Sequence, residues 1–270
     1  MTSFYLTLAG ICHSFPPLRR LFWRYVYQRM ARQFSQRELI FMNYGFDSSE
    51  TRELQLAEED EPYRSVIALY HHVASATDLD GKELLEVGCG RGGGASYVAR
   101  YLKPSQMTGV DISHNAVRFC SNRHPVDALT FQQGDAESLP FEDESFDAVL
   151  NVESSHCYGS IDRFIGEVSR VLRPGGEFLY ADFRPAKETA AIRQRIVESR
   201  LTIEEEEDIT SNVLKALESD SAAKEAWISE LAGEGLQETL RTFAATEGTK
   251  LYRMFVEGDL VYFRYRARKG

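Results

Sequence analysis

The residue types and spacing with the clearest chemical meaning lie between Glu83 and Gly94, where a short apolar run opens into a glycine-rich loop. Glu86 stands near the end of that run, and the loop after it has glycines at positions 88, 90, 92, 93 and 94. A strand, a glycine turn and a helix N-terminus in this order let a nucleoside-type cofactor approach bare backbone. An acid beside the loop opposes a pyrophosphate and suits a cofactor that carries an ammonium and a sulfonium group.

Two further acids follow the next predicted strands and help to choose the cofactor. Asp111, followed by Ile112, is placed to bind the two hydroxyls of a ribose, which fits NAD and S-adenosylmethionine (SAM) equally. Asp135, followed by Ala136, suits the exocyclic amine of adenine. Together with Glu86, this third motif favours SAM. We therefore predict a SAM site and disfavour an NAD-dependent oxidoreductase.

The loop after the fourth predicted strand holds the candidate base for a methyl transfer. Such a transfer is an in-line displacement that requires alignment and, for a hydroxyl acceptor, removal of a proton. His156 lies five residues after Asn151, the expected strand end, and a pKa near 6.5 suits proton abstraction at neutral pH. We predict His156 as the base; the alternatives are a histidine bonded to backbone or one that only contacts substrate. Glu153 is expected to pair with His156 or to cap the following segment.

These side chains require a scaffold in which strands and helices alternate. Strands are expected at 83–88, 106–111, 128–132, 146–151 and 176–182, and helices near 62–77, 95–103, 114–123 and 161–171. Such alternation predicts parallel βαβ units in a single sheet of an α/β fold. Because the carboxyl ends of parallel strands share one edge, the loops after them would meet there.

The second half of the chain is expected to depart from this alternation. Residues 186–240 are helical in pattern and predict a lid over the acceptor pocket, with the acidic run 204–208 as a solvated helix face. Residues 250–256 and 260–265 alternate in polarity and predict a final hairpin. The expected division is an N-terminal helical and lid segment, a cofactor-binding core, a helical cap and a C-terminal hairpin that completes the sheet, at 1–78, 79–185, 186–240 and 241–270.

Five motifs in this order resemble those of class I SAM-dependent methyltransferases. They are Glu86-x-Gly88-x-Gly90-x-Gly92, Asp111, Gly134-Asp135-Ala136, Leu139-Pro140-Phe141 and Leu172-Arg173-Pro174-Gly175-Gly176. More narrowly, residues 41–46, 69–71 and 151–158 resemble the phthiotriol/phenolphthiotriol dimycocerosates methyltransferases, which methylate a hydroxyl on a long-chain lipid. The resemblance implies a Rossmann-like sheet, mostly parallel with an antiparallel last strand, with helices on both faces and a helical lid.

The same resemblance implies roles for individual residues. Cofactor contacts are expected from Glu86, Gly88, Cys89, Gly90, Asp111, Ile112, Asp135, Ala136 and Asn151. Tyr44 or Phe46 would cover the methyl donor, because an aromatic residue at this place folds over the site in related enzymes. Glu153, His71 and Tyr158 would contact the substrate.

Composition and charge exclude some classes of binding partner. The formal net charge of −10 argues against nucleic acid, and four cysteines without metal or CxxC spacing favour reduced thiols in a cytoplasmic protein. No metal is expected, since no carboxylate–amide cluster stands beyond the cofactor acids, and no run reaches the length of a membrane span. Residues 1–37 carry six arginines and no acid, so the helix predicted at 18–34 either packs on the domain or makes a peripheral membrane contact with anionic lipid.

The function predicted from these residues is SAM-dependent O-methylation of a hydroxyl on a hydrophobic lipid or polyketide-like secondary metabolite. Methyl esterification of a fatty-acid carboxyl is a near alternative, because a carboxylate needs no base and the arginine-rich N-terminus would then matter more. C-methylation and N-methylation use the same scaffold and stay open. A SAM-binding protein without catalysis is disfavoured by the intact motifs.

Overall fold

The structure is a computed structural model that describes residues 39–231 and 234–270. Its strands are β1 (Glu83–Val87), β2 (Gln106–Asp111), β3 (Leu129–Gln133), β4 (Phe146–Val152), β5 (Leu172–Pro185), β6 (Leu201–Asp208) and β7 (Leu260–Lys269). Its α-helices are α1 (Ser49–Arg52), α2 (Arg64–Ala74), α3 (Gly93–Tyr101), α4 (His114–Arg123), α5 (Ile161–Val171), α6 (Thr189–Glu198), α7 (Thr210–Leu231), α8 (Glu234–Phe243) and α9 (Lys250–Val256).

The described strands form one seven-stranded sheet in the order β3-β2-β1-β4-β5-β7-β6. The first five are parallel, and β7 runs antiparallel to both of its neighbours, β5 and β6. The strand order reverses between β1 and β4, which leaves a crevice beyond their carboxyl ends. The predicted α/β class, with its mostly parallel sheet and antiparallel last strand, is confirmed.

Hydrophobic residues on alternate positions of the strands build a core on each face of the sheet. Leu84 packs into the cluster under α2, α3, α7 and α9, whereas its neighbour Leu85 packs into the cluster under α5 and α6. Successive side chains of a strand point to opposite faces, so a buried strand must be apolar on both. Both leucines are at most 1% exposed, as this arrangement requires.

Several helices begin at residues that the sequence supplies for this purpose. Ser113 and Ser160 precede α4 and α5, and each side chain accepts a hydrogen bond from a backbone N–H of the first turn. α3 instead follows Gly92, which has a left-handed φ of 77°. A glycine there lets the chain turn from the loop straight into the helix without a steric penalty.

Two expectations for the second half of the chain are wrong. The segment 186–240 is not helical throughout, because 201–208 is strand β6 and its acidic residues pair with arginines of β7 instead of forming a helix face. Residues 250–256 are helix α9 and not a hairpin strand, since Thr249 caps the helix by accepting a hydrogen bond from Tyr252 N. The antiparallel partners of β7 are therefore β5 and β6.

The predicted basic helix at 18–34 lies outside the described residues, so its packing or membrane contact stays a prediction. Within 39–231 and 234–270, none of the helices combines the length and the apolar character needed to cross a membrane.

Candidate active site

An open cavity with about 1250 Å³ of atom-free space lies at the carboxyl ends of the central strands. Four groups of residues line it: the segment 39–43, the glycine loop from Gly88 to Arg91 with Gly94, the turns after β2 and β3, and the loop after β4. These groups come from distant parts of the sequence and meet because parallel strands end at a common edge.

The glycine loop is shaped by close approaches that leave no room for side chains. A Cβ on Gly88 would lie 2.6 Å from the Tyr158 hydroxyl and would also collide with Ser154. Gly88 has a φ of 78° as well, a left-handed conformation that L residues seldom adopt. A Cβ on Gly94 would overlap the ring of Tyr70. Glycine is therefore required at these two positions by the packing of the loop, and Gly88, Gly90 and Gly94 present backbone to the cavity.

The two acids predicted to hold adenosine both line the cavity, with Ile112 and Ala136 beside them. The Asp111 carboxylate accepts hydrogen bonds from Gly90 N at 3.0 Å and Ser113 N at 2.8 Å. Burial raises the pKa of Asp111 to about 6. The Asp135 carboxylate accepts from Glu137 N at 3.1 Å. The structure thus places both predicted acids on the wall of one cavity.

Glu86 and Asn151 lie behind the glycine loop and are completely buried. Tyr70 donates to Glu86 Oε1 at 2.7 Å, and burial raises the pKa of Glu86 to about 7. Asn151 Nδ2 donates to Val87 O at 2.8 Å. Glu86 Oε2 and Asn151 Oδ1 are buried without a hydrogen-bond partner. Buried acceptors are nearly always satisfied, so these two oxygens suit a ligand with donor groups.

A strap formed by residues 39–43 closes one side of the cavity. It is fastened to the glycine loop by hydrogen bonds from Gly93 N to Ile40 O at 3.0 Å and from Arg91 Nε to Leu39 O at 2.9 Å. The aromatic residues predicted to cover the methyl donor are the neighbours of this strap. Tyr44 and Phe46 are not among the cavity-lining residues: Tyr44 stacks on Phe183, and Phe46 stacks on His72 at 4.2 Å between ring centroids.

His156 is held by a buried carboxylate of β5. Its Nδ1 lies 2.9 Å from Asp182 Oδ1, its backbone N–H donates to Asp182 Oδ2 at 2.9 Å, and its ring packs on Phe183. Burial lowers the pKa of His156, but Cys157 and Asp182 outweigh this and raise it to about 10. Burial alone would raise the pKa of Asp182; Arg184 and His156 hold it well below its usual range. His156 is therefore a cation at neutral pH, and its ring is not among the cavity-lining groups.

Glu153 faces the cavity directly. It adopts a φ of 49°, which is uncommon for a residue with a side chain. Its Oε2 accepts hydrogen bonds from Tyr44 N and from the Tyr262 hydroxyl, both at 2.9 Å. Burial raises the pKa of Glu153 to about 8, although Tyr44 N and the charge of His156 lower it in part.

Of the two remaining residues predicted to contact the substrate, Tyr158 lines the cavity and His71 does not. The Tyr158 hydroxyl accepts from Asn151 Nδ2 at 3.0 Å. His71 Nδ1 lies 2.7 Å from the Tyr97 hydroxyl, on the far side of α3. The sequence predicts a cover from the part of the chain around the strap but places it at Tyr44 or Phe46 instead of residues 39–43, and it does not predict Asp182. The strap carried a weak signal, an apolar run before Asn43, whereas nothing local connects Asp182 with His156.

The comparisons with known proteins agree with this geometry. A family described as "Methyltransferase domain" matches residues 85–180. The phthiotriol/phenolphthiotriol dimycocerosates methyltransferase of Mycobacterium tuberculosis is 42% identical over 243 residues, which cover 90% of each chain. The chain belongs to this family. It is a class I SAM-dependent methyltransferase, as the sequence motifs predicted.

Other relatives broaden the comparison. A fatty-acid O-methyltransferase of Mycolicibacterium smegmatis is 40% identical over 238 residues, covering 85% of this chain and 87% of that protein. The crystal structure of the cyclase SpnF has a TM-score of 0.68 at 24% identity and covers 91% of this chain and 93% of its own. Geranyl diphosphate C-methyltransferase from Streptomyces coelicolor A3(2) has a TM-score of 0.61 at 18% identity, covering 90% and 98%. At these identities the two structures establish the fold alone.

The residues of this methyltransferase fit SAM. Gly88 and Gly90 line the cavity as backbone without side chains, and the unpartnered oxygens of Glu86 and Asn151 belong to the strands on either side of that loop. Asp111 and Asp135 line the cavity and would offer carboxylates to a ribose and an adenine amine, and Ile112 and Ala136 would offer apolar contacts. When bound, SAM supplies an activated methyl group. No group of three His, Cys, Asp or Glu in metal-binding arrangement occurs within the part of the chain that the structure describes.

Proposed function

We propose that the protein transfers a methyl group from SAM to a hydroxyl of a hydrophobic lipid or polyketide-like metabolite. One observation carries the proposal: the loop that holds Glu153 and Tyr158 lines the same cavity as the cofactor acids Asp111 and Asp135. The strap contributes Leu39, Ile40, Phe41 and Met42, an apolar wall that suits a hydrocarbon acceptor. The names of the relatives, which refer to dimycocerosates and to a fatty acid, support an acceptor of this class.

Hydroxyl methylation needs a group that takes the acceptor's proton. His156 is the base predicted from the sequence, and its Nδ1 contact with Asp182 would orient the ring. Because its pKa is raised to about 10, the neutral form becomes tenfold more abundant with each unit of rising pH below that value. If His156 is the base, kcat/KM will rise with pH and level off only near pH 10.

The proposal is tested with purified protein, SAM and a long-chain lipid that carries a free hydroxyl. We expect S-adenosylhomocysteine and the methyl ether to form in equal amounts, and Asp111→Asn to bind SAM at least tenfold more weakly. Arg193→Ala is the matched control, since Arg193 forms an exposed ion pair with Glu206 far from the cavity residues. SAM binding without methylation of any hydroxylated lipid would refute the proposal.

A second candidate, methyl esterification of a fatty-acid carboxyl, is favoured by the positive charge of His156 at neutral pH. An imidazolium beside the cavity would attract a carboxylate acceptor, which needs no base. The relative named as a fatty-acid O-methyltransferase supports this candidate. Turnover of a fatty acid would then fall as pH rises, first near pH 8 as Glu153 gains a negative charge and again near pH 10 as His156 loses its positive charge. That profile is opposite to the one expected for a hydroxyl.

A further inference from the structure

We propose that Glu153, and not His156, is the residue that receives the acceptor's proton. The inference rests on the proposed hydroxyl methylation and names the group that completes it. Glu153 lies directly after β4 and lines the cavity, whereas the His156 ring is turned toward Asp182 and Phe183. A base must come within hydrogen-bond reach of the proton that it removes, so position separates the two candidates before acidity does.

The backbone at Glu153 is held in place for a side chain that points into the cavity. Glu153 N donates to Ala181 O at 2.8 Å, which fixes the end of β4 against β5. The residue has a φ of 49°, although it is not glycine. Left-handed residues with side chains cluster at functional sites, where surrounding contacts maintain a conformation that the chain would otherwise avoid.

The two carboxylate oxygens of Glu153 have different surroundings. Oε2 accepts both the Tyr44 N–H and the Tyr262 hydroxyl. Within 39–231 and 234–270, no hydrogen bond reaches Oε1, and this atom is not among the buried polar atoms that lack a partner. Oε1 is therefore accessible from the cavity and has its lone pairs available. An acceptor hydroxyl in the cavity can donate to this oxygen.

Titratable groups from several elements lie near Glu153. The titratable groups are Tyr44 of the N-terminal segment, Tyr70 of α2, His156 and Cys157 of the same loop, Asp182 of β5, Lys224 of α7 and Tyr262 of β7. Burial outweighs the opposing cation of His156 and raises the pKa of Glu153 to about 8. A carboxylate in this range changes protonation near neutral pH, where general bases are most effective. The His156 cation then favours the ionised form of Glu153.

The step balances in atoms and charge. Glu153 Oε1 takes the hydroxyl proton of the acceptor while the new O–CH₃ bond forms and the S–CH₃ bond breaks, with its electron pair remaining on sulfur. A cationic sulfonium and a glutamate anion become a neutral sulfide and a neutral glutamic acid, and the acceptor becomes a methyl ether. As the positive charge disappears, the proton affinity of Glu153 rises, so electrostatics assists the transfer.

The first test is the pH profile of kcat/KM for the hydroxylated lipid. We expect a rise that levels off no higher than about pH 8 in the wild-type enzyme, because bound SAM favours ionised Glu153, and a loss of about 10²–10⁴-fold in kcat for Glu153→Gln. Glu153→Asp, which keeps the carboxylate on a shorter side chain, is the rescue variant and should recover part of the activity with the pH dependence retained. His156→Ala should lose less than Glu153→Gln. A profile that rises to about pH 10 and becomes flat in His156→Ala, with Glu153→Gln active, would overturn the proposal.

The second test does not depend on turnover. SAM bound near Glu153 would favour its ionised form, so binding at pH 7.5 should release up to about one proton per site. Calorimetry in two buffers of different ionisation enthalpy measures this number. We expect release with SAM and less with S-adenosylhomocysteine, whose sulfur carries no charge. In Glu153→Gln the release with SAM should fall to the smaller number that Glu86 contributes, at unchanged affinity for S-adenosylhomocysteine. Equal proton release in wild type and Glu153→Gln would contradict the inference even if the acceptor were a carboxylate, so the two failures are distinguishable.

Discussion

Two carboxylates that line the cavity, Asp111 and Glu153, and two fully buried ones near it, Glu86 and Asp182, differ in charge because their neighbours differ. Burial raises the pKa of Glu86, Asp111 and Glu153 to about 7, 6 and 8, because few cations are close enough to compensate. Asp182 has the opposite shift, since Arg184 lies 3.0 Å away and His156 lies 2.9 Å away. Similar burial thus produces three acids that titrate near neutrality and one permanent anion that fixes His156.

At the residue scale, Gly88→Ala tests whether the bare loop forms the cofactor site. A methyl group at Gly88 would lie 2.6 Å from the Tyr158 hydroxyl, in a backbone conformation that alanine avoids. We expect SAM affinity to fall by at least tenfold and the free energy of unfolding to fall by about 1–3 kcal/mol. Calorimetric titration and urea denaturation measure the two effects.

Gly166→Ala is the matched control for this substitution. Gly166 lies inside α5, and a Cβ there would meet no atom within 4 Å. Alanine has the higher helix propensity, so the variant should keep wild-type SAM affinity and gain about 0.5–1 kcal/mol of stability. Equal SAM affinity in Gly88→Ala and Gly166→Ala would mean that the ligand does not approach this loop.

At the scale of elements, the edge strand β6 is attached to β7 by crossed ion pairs. Arg266 bonds to Glu204 and Glu205 of β6 and lies 3.3 Å from Glu177 of β5, which is buried. Arg264 bonds to Glu205 and Glu207. Glutamate is a poor strand former, so these contacts replace the hydrophobic pairs that usually stabilise a strand.

Arg266→Ala should therefore be costly for a residue at the margin of a sheet. It leaves Glu177 without its cation and removes two contacts to β6, and we expect a loss of about 1–3 kcal/mol in urea denaturation. Arg193→Ala removes an ion pair whose two side chains are about half exposed, and it should change stability by less than about 1 kcal/mol. Equal losses of stability in the two variants would show that the ion pairs of Arg266 do not stabilise the attachment of β6 to the sheet.

The sequence predicts those elements whose signals are local and does not predict those that depend on distant partners. β1 and β4 are mostly apolar, and β2 ends in the acid of a recognisable motif, so the sequence predicts each of the three to within about two residues. β6 was missed because its partner arginines follow some sixty residues later, and Glu204–Asp208 has no strand propensity of its own. α9 is predicted as a strand because Lys250–Val256 is rich in apolar and aromatic residues. Its two charged residues are three positions apart, as on one face of a helix, and Thr249 is a good N-cap.

At the scale of the whole molecule, the site is assembled from segments that differ in how well the sequence predicts them. The glycine loop and the acids Asp111 and Asp135 belong to contiguous motifs, and the structure places all of them on the cavity. The contacts of Glu153 with Tyr44 and Tyr262 join residues 109 positions apart in either direction. Such long-range partners, and the exact direction of His156, depend on how β5, β7 and the strap close around β4. Local patterns do not contain that information.

The raised pKa values also determine how the stability of the ligand-free protein depends on pH. Glu86, Asp111 and Glu153 have folded pKa values above those of an unfolded chain, so the folded state binds more protons between about pH 4 and 8. Their contribution is complete below the unfolded pKa and is lost as pH rises through the folded pKa. His156 acts in the same direction up to about pH 10, whereas Asp182 loses its contribution only in acid.

We therefore expect the free energy of unfolding, measured in urea without ligand, to fall between pH 6 and pH 9. Glu153→Gln should reduce this fall, because an amide at this site has no proton to lose and no buried charge to form. The exposed Glu247→Gln is the matched control and should keep the wild-type slope. Since ionised Glu153 is the form that removes a proton, the same charge would weaken the empty protein at the pH where the enzyme works best. A stability that rises from pH 6 to pH 9, or a slope that Glu153→Gln leaves unchanged, would contradict this coupling between the fold and the site.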